Sequence, residues 1–290
     1  MRIYHSFWER GYKGINQNIY DLHKLSVLSA LKSYGNITLI TTQEGKKFLG
    51  DLPYTSIEIF ENEHFPNISI NGDLSPYNNV WSLSKLIAYK QIAKKGTPFL
   101  HIDYDVFLFK RLPNNLEQGE IICQHIENTK ILNHIYFIPI FEELCKNKLF
   151  YDPCLNFSLN CGIFGGSNYN FIDFYVDTAI QLLIDGQNQE YWMNSSNIIN
   201  QIFTEKKWEW QWQAGILEQL WLSQCLRFKK IKPSLLFDIT EYESLEHFSQ
   251  LTSEVSKTLG YTHLIAYSKD NPKIMEAVRR KIVEIQAEIL

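Results

Sequence analysis

Short apolar runs alternate with stretches of helical periodicity along the first sixty residues. Residues 2–8 form a strand-like run, followed by a loop marked by Gly11, Gly14 and Asn16. Over residues 18–33, Leu22, Leu25, Leu28 and Leu31 recur at near-helical spacing, and Gly35 supplies a stop. A short strand at 37–40, a helix at 43–49 and a strand at 56–60 complete a β-α-β-α-β order. That order predicts a parallel, right-handed, doubly wound sheet with ligands at the carboxyl ends of its strands. The loop after the first strand, residues 6–12, is therefore a candidate nucleotide contact, or an ordinary connection.

Residues 61–80 read as loop, and 81–94 as a helix carrying Lys85. A lone lysine on a helix is expected to face solvent. Residues 98–109 read as one buried strand holding two acids, Asp103 and Asp105. In a regular strand, two residues separated by one other share a face. Unpaired buried carboxylates cost several kcal/mol, so the pair needs a partner, and a hard divalent cation suits two oxygens. The competing reading is a carboxylate pair capping a turn.

Further along, 120–125 is a strand, and 130–150 is expected to be largely helical and interrupted by Pro139. Residues 155–166 read as a strand ending in a tight glycine turn that permits close approach to a ligand or a simple bend. This is neither a Gly-x-Gly-x-x-Gly nor a P-loop. Helices are expected at 170–185, 194–206 and 215–228, the last with Glu218 and Gln219 near its start. The alternation Trp208-Glu209-Trp210-Gln211-Trp212 suits core packing, with a sugar-stacking platform as the alternative. A strand-like stretch ends near His263, Lys269 follows, and the final helix spans 272–288.

Composition narrows the picture. Hydrophobic residues are 45% and charged ones 21%, ordinary values for a globular chain, in which 290 residues can bury one large core or two modest ones. The net charge of -4 argues against a broad nucleic-acid surface. Aromatics at 14% suit ring stacking as well as packing. Five cysteines without paired spacing suit reduced thiols and indicate no zinc site. The first residues lack a signal-peptide pattern, and no apolar run is long enough to span a membrane. A cytoplasmic protein is expected, with peripheral membrane attachment left open. The absence of a linker or repeat predicts one domain over 1–290. Its nucleotide-binding half, 1–110, ends in the acidic pair, and 111–290 forms the acceptor side.

In order along the chain stand Trp81-Ser82-Leu83-Ser84-Lys85-Leu86, His101-Ile102-Asp103-Tyr104-Asp105-Val106, Asn160-Cys161-Gly162-Ile163-Phe164, Leu217-Glu218-Gln219, and His263 with Lys269. This set resembles the GT-A glycosyltransferases with an Asp-x-Asp motif, in particular the retaining glycogenin-like and lipopolysaccharide galactosyltransferase-like enzymes. The motifs cover 81–269, and the N-terminal part agrees in its α/β pattern. The resemblance implies a single Rossmann-like GT-A domain whose mostly parallel sheet is flanked by helices. It implies transfer of a hexose from a nucleotide sugar, with UDP expected, and retention of configuration. Asp103, Asp105 and His263 would hold Mn²⁺ or Mg²⁺. The donor would meet His5, Ser6, Phe7, Lys85, Tyr104, Asn160, Cys161, Gly162 and Lys269, while Glu218 and Gln219 would serve catalysis. The acceptor is open: a glycan, a lipid-linked sugar, a peptide or a small molecule.

Three positions depart from the family pattern. Glu218 replaces Asp, Cys161 replaces Ser or Ala, and no Lys-Pro-Trp follows His263. An inactive sugar-nucleotide-binding protein of the same fold is one alternative. A haloacid dehalogenase-type phosphohydrolase is another, although Phe107 stands where that motif carries Thr or Val.

Overall fold

The computed structural model describes residues 1–9, 15–61, 82–130, 138–145, 148, 151–185, 215–237, 244–264 and 266–289. Strands β1 (Arg2–Phe7), β2 (Thr38–Thr41), β3 (Ser56–Ile59), β4 (Phe99–Ile102), β6 (Ile121–Asn128), β7 (Phe157–Gly166) and β8 (Ser234–Leu235) form a 7-stranded sheet in the order β3-β2-β1-β4-β7-β6-β8. β7 runs antiparallel to both its neighbours, β4 and β6; the other pairings are parallel. A second, two-stranded antiparallel sheet joins β5 (Val106–Leu108) to β9 (Tyr261–His263).

Consecutive strand residues feed opposite faces, as a pleated strand requires. Tyr4, Phe99, Ile121, Cys161 and Phe164 pack in one cluster with α3 (Ser82–Ala93) and α6 (Tyr169–Ile184). Their neighbours Ile3, Leu100, Ile122 and Ile163 pack in another, with Val27 and Ala30 of α1 (Gln17–Tyr34). Burial on both faces explains the continuous apolar runs of these strands.

The periodicity of α1 emerges as expected. The Asn16 side chain accepts from the Ile19 amide at 3.0 Å, and Gly35 closes the helix in the left-handed region at φ 71°. Leu22, Leu25 and Leu28 meet Met275, Val278 and Ile282 of the last helix, α9 (Pro272–Ile289). By contrast α3 is buried at every position except Lys90, because it is wedged between the sheet and α6. Also present are α2 (Gln43–Leu49), α4 (Asn114–Glu117), α5 (Ile138–Cys145), α7 (Trp221–Lys229) and α8 (Leu245–Leu259).

Some expectations change. Residues 98–109 are two strands in two sheets, joined by a turn in which the Val106 amide donates to the Asp103 carbonyl at 2.9 Å. The glycines of 155–166 lie inside β7 rather than in a turn after it. A Cβ on Gly165 would stand 2.1 Å from the Phe99 carbonyl oxygen, so the close approach is to a neighbouring strand. Pro139 sits in the first turn of α5, where a missing amide is tolerated, instead of interrupting a helix. Residues 215–220 are a π-helical turn, Gly215–Leu220, leading into α7. The helix expected at 194–206 and the Trp208–Trp212 alternation lie outside the described residues. Among the described residues, no helix is long and apolar enough to cross a membrane.

Candidate functional site

The turn between β4 and β5 is held from both sides. The Asp103 amide donates to the Gly162 carbonyl at 2.9 Å, and the Leu264 amide donates to the Asp105 carbonyl at 3.0 Å. These bonds bring β7 and the end of β9 against the acidic turn at the carboxyl end of β4. Asp103, Asp105 and His263 then offer ligand atoms within 4.8 Å of one another.

The two carboxylates have different partners. On one side the Lys85 ammonium lies 2.6 Å from Asp103 Oδ1, 2.8 Å from Asp103 Oδ2 and 2.6 Å from Glu218 Oε1. Tyr89 donates its hydroxyl to the same Glu218 oxygen at 3.4 Å. Lys85 is buried, contrary to the expectation of a solvated lysine. Burial alone would lower its pKa, but Asp103 and Glu218 outweigh that and hold it above the lysine range. Burial raises the Asp103 carboxyl to about 7 despite Lys85, and raises that of Glu218 as well. The backbone carbonyl of Glu218 accepts from the Tyr175 hydroxyl at 2.7 Å, which anchors the π-helical turn. Such turns are frequent at functional sites.

On the other side Lys269 pairs with Asp105 Oδ2, and its ammonium lies 5.0 Å above the Tyr104 ring. Burial would raise the Asp105 carboxyl, but Lys269 and His263 reverse the sign and hold it below the usual range. Asp105 Oδ1 is buried without a hydrogen bond, 3.5 Å from His263 Nε2. His263 Nδ1 donates to Gln124 Oε1 at 2.9 Å, which orients the ring with Nε2 toward Asp105. An imidazole oriented through its other nitrogen, beside two carboxylates, is a donor set that suits a divalent cation. Gly162 makes room for it, since a Cβ there would stand 2.3 Å from Gln124 Oε1 and 2.6 Å from His263 Cε1.

The remaining candidates divide into site neighbours and core residues. Asn160 Oδ1 accepts from the Gly162 amide at 2.9 Å while its amide group donates to Glu127 Oε1 at 2.8 Å. Tyr104 stacks on His23 at 4.8 Å. Gln219 is half-buried, and its carbonyl accepts from the Ser223 hydroxyl at 2.9 Å. Ser6 Oγ lies 2.9 Å from His101 Nε2. The side chains of His5, Phe7 and Cys161 are fully buried. His5 Nδ1 lies 2.9 Å from the Tyr54 hydroxyl and its Nε2 2.9 Å from Ser26 Oγ, Phe7 packs with Leu39 and Leu49, and Cys161 belongs to the α3 cluster. Residues 10–12 of the expected nucleotide loop lie outside the described residues. Gln124, Tyr89 and Glu127 join the site without having been singled out from the sequence. For Gln124 and Glu127 the available signal was a polar residue inside an otherwise apolar strand.

The sheet order with its single reversed strand, and the acidic turn at the carboxyl end of its central strand, define a mixed α/β fold of the GT-A type. WbbM, a bifunctional glycosyltransferase, superposes with a TM-score of 0.50 at 11% identity, over 98% of this chain and 51% of that one. Mouse xyloside xylosyltransferase 1 gives 0.46 at 9% identity, over 90% of this chain and 96% of that one. GlyE of Streptococcus pneumoniae TIGR4 gives 0.45 at 10% identity, over 99% and 63%. No curated protein matches in sequence. The chain belongs to the family described as "Family of unknown function (DUF6734)", whose model matches residues 1–289.

Proposed function

We propose that this protein is a metal-dependent glycosyltransferase that moves a hexose from a nucleotide sugar, with UDP the expected nucleotide, to an acceptor with retention. The observation that carries the reading is the convergence of Asp103, Asp105 and His263 beside Lys85, Lys269 and Glu218. The cluster brings three carboxyl groups and two ammonium groups together. A divalent cation added there would supply positive charge toward an anionic diphosphate.

Asp103, Asp105 and His263 would hold Mn²⁺ or Mg²⁺, which supplies Lewis-acid neutralisation of the leaving diphosphate. Lys269 faces the diphosphate as a point charge. Ser6 and Tyr104 flank the donor, and Asn160 with Gly162 lines the sugar. Glu218, with Gln219, faces the anomeric carbon. Lys85 beside Glu218 favours its anionic form, which opposes the positive charge developing on the sugar. The bond from the anomeric carbon to the diphosphate breaks, the acceptor oxygen bonds to that carbon, and the acceptor proton passes to the departing diphosphate.

The test incubates the full chain with Mn²⁺ and a panel of nucleoside diphosphate sugars, reading thermal shift and nucleoside diphosphate release. Expected is slow, chelator-sensitive UDP release from a UDP-hexose, reduced at least about 100-fold by Asp103→Ala or Asp105→Ala. Binding without release from any donor would favour an inactive binding protein. No binding of any donor would remove both readings.

A further inference from the structure

The two lysines of the site are not equivalent. The Lys85 side chain is 7% exposed, lies in the first turn of α3 and serves two buried carboxylates at once. Withdrawing it would take the ammonium from two buried carboxylates at once, which makes it the less free of the two lysines to move. The Lys269 side chain is 29% exposed, sits on the 3₁₀ turn Ala266–Asp270 and pairs with Asp105. Asp105 itself is almost wholly buried. A divalent cation held by Asp105 Oδ1 and an ammonium on Oδ2 would be close neighbours of like sign. In a site removed from bulk water that repulsion is weakly screened.

We propose that Lys269 is the resident counter-ion of Asp105 before the metal arrives, and yields that place when a diphosphate is present to receive its ammonium. This rests on the metal reading above and adds the coupling between ligands. The metal then binds weakly to the protein alone and tightly with the nucleotide, and the nucleotide is tightened by the metal to the same degree. Tyr104, under the lysine at 5.0 Å, gives the ammonium an aromatic face beside Asp105.

The experiment measures Mn²⁺ affinity of the full chain by electron paramagnetic resonance, with and without UDP, in wild type and Lys269→Gln. In wild type UDP is expected to raise Mn²⁺ affinity at least about tenfold, within the usual range for coupled sites. In Lys269→Gln, affinity for Mn²⁺ alone is expected to rise about tenfold and the enhancement by UDP to shrink by a similar factor. Lys269→Arg keeps the charge and is expected to keep the weak metal-only binding. Wild-type Mn²⁺ binding indifferent to UDP would overturn the coupling alone, whether or not the variants fold. So would a Lys269→Gln chain whose metal-only affinity is unchanged or weaker. Wild type that takes up no Mn²⁺ with or without UDP would overturn the metal reading itself.

Discussion

The two sides of the acidic turn solve the same electrostatic problem differently. On the Asp103 side a buried helix supplies one ammonium to two carboxylates, and an aromatic hydroxyl adds a further donor. On the Asp105 side a short turn near the end of the chain supplies a half-exposed ammonium, and the imidazole lies close by without a hydrogen bond to the carboxylate. The first arrangement is fixed by burial. The second leaves an oxygen of Asp105 and a nitrogen of His263 available. A site that must hold its own shape and also accept a cation benefits from having both.

The contrast can be broken most sharply at Lys85. Lys85→Met should lower unfolding free energy by about 3–5 kcal/mol, because two carboxylates lose their buried partner. Urea denaturation reads this, and a loss below about 1 kcal/mol would mean the pairing is not structural. Gly162→Ala attacks the other side by forcing a methyl against Gln124 and His263. It should cost about 1–3 kcal/mol of stability, typical of overpacking, and weaken Mn²⁺ binding measured with UDP present. Undiminished binding would remove Gln124 as the group that orients His263. Lys269→Gln should cost less than Lys85→Met, about 1–2 kcal/mol. Added Mn²⁺ should recover that loss in Lys269→Gln and leave the Lys85→Met deficit largely in place, as thermal melts would show.

A further effect is a slope with pH, most gradual near pH 6.5. Burial lowers His5 to about 3 and His23 well below its ordinary value, and both lie behind Tyr104 on the Asp105 side. Below pH about 6.5 the unfolded chain takes up protons that these folded rings refuse. Stability is therefore full above that pH and falls as acid is added, for His5 over the window down to about 3. Each ring contributes up to about 1.4 kcal/mol per pH unit. A flat stability profile from pH 6.5 to 5 would show that the rings are reachable by protons in the folded state.

Much of this was legible in the sequence. The leucine spacing and Gly35 located α1, the β-α-β-α-β order located the parallel half of the sheet, and Asp103 with Asp105 marked the site. What was not legible depended on contacts distant in sequence. Nothing near Lys85 signals that α3 is enclosed on every side, because its apolar residues form no stripe. The strand-face argument for the two aspartates failed because pairing of Val106 with His263 pulls β5 into a second sheet and opens a turn between the acids. The glycines of β7 looked like a bend because the requirement they meet, proximity to the Phe99 carbonyl and to His263, lies on other strands.

That second sheet has a consequence for how the protein is made. Both aspartates leave the ribosome long before the strand that brings His263 and the turn that brings Lys269. A nascent chain stopped ahead of residue 261 already carries Lys85 for Asp103, yet has nothing to offer Asp105. Completion of the acidic cluster is thereby deferred until β9 and the turn after it have been made.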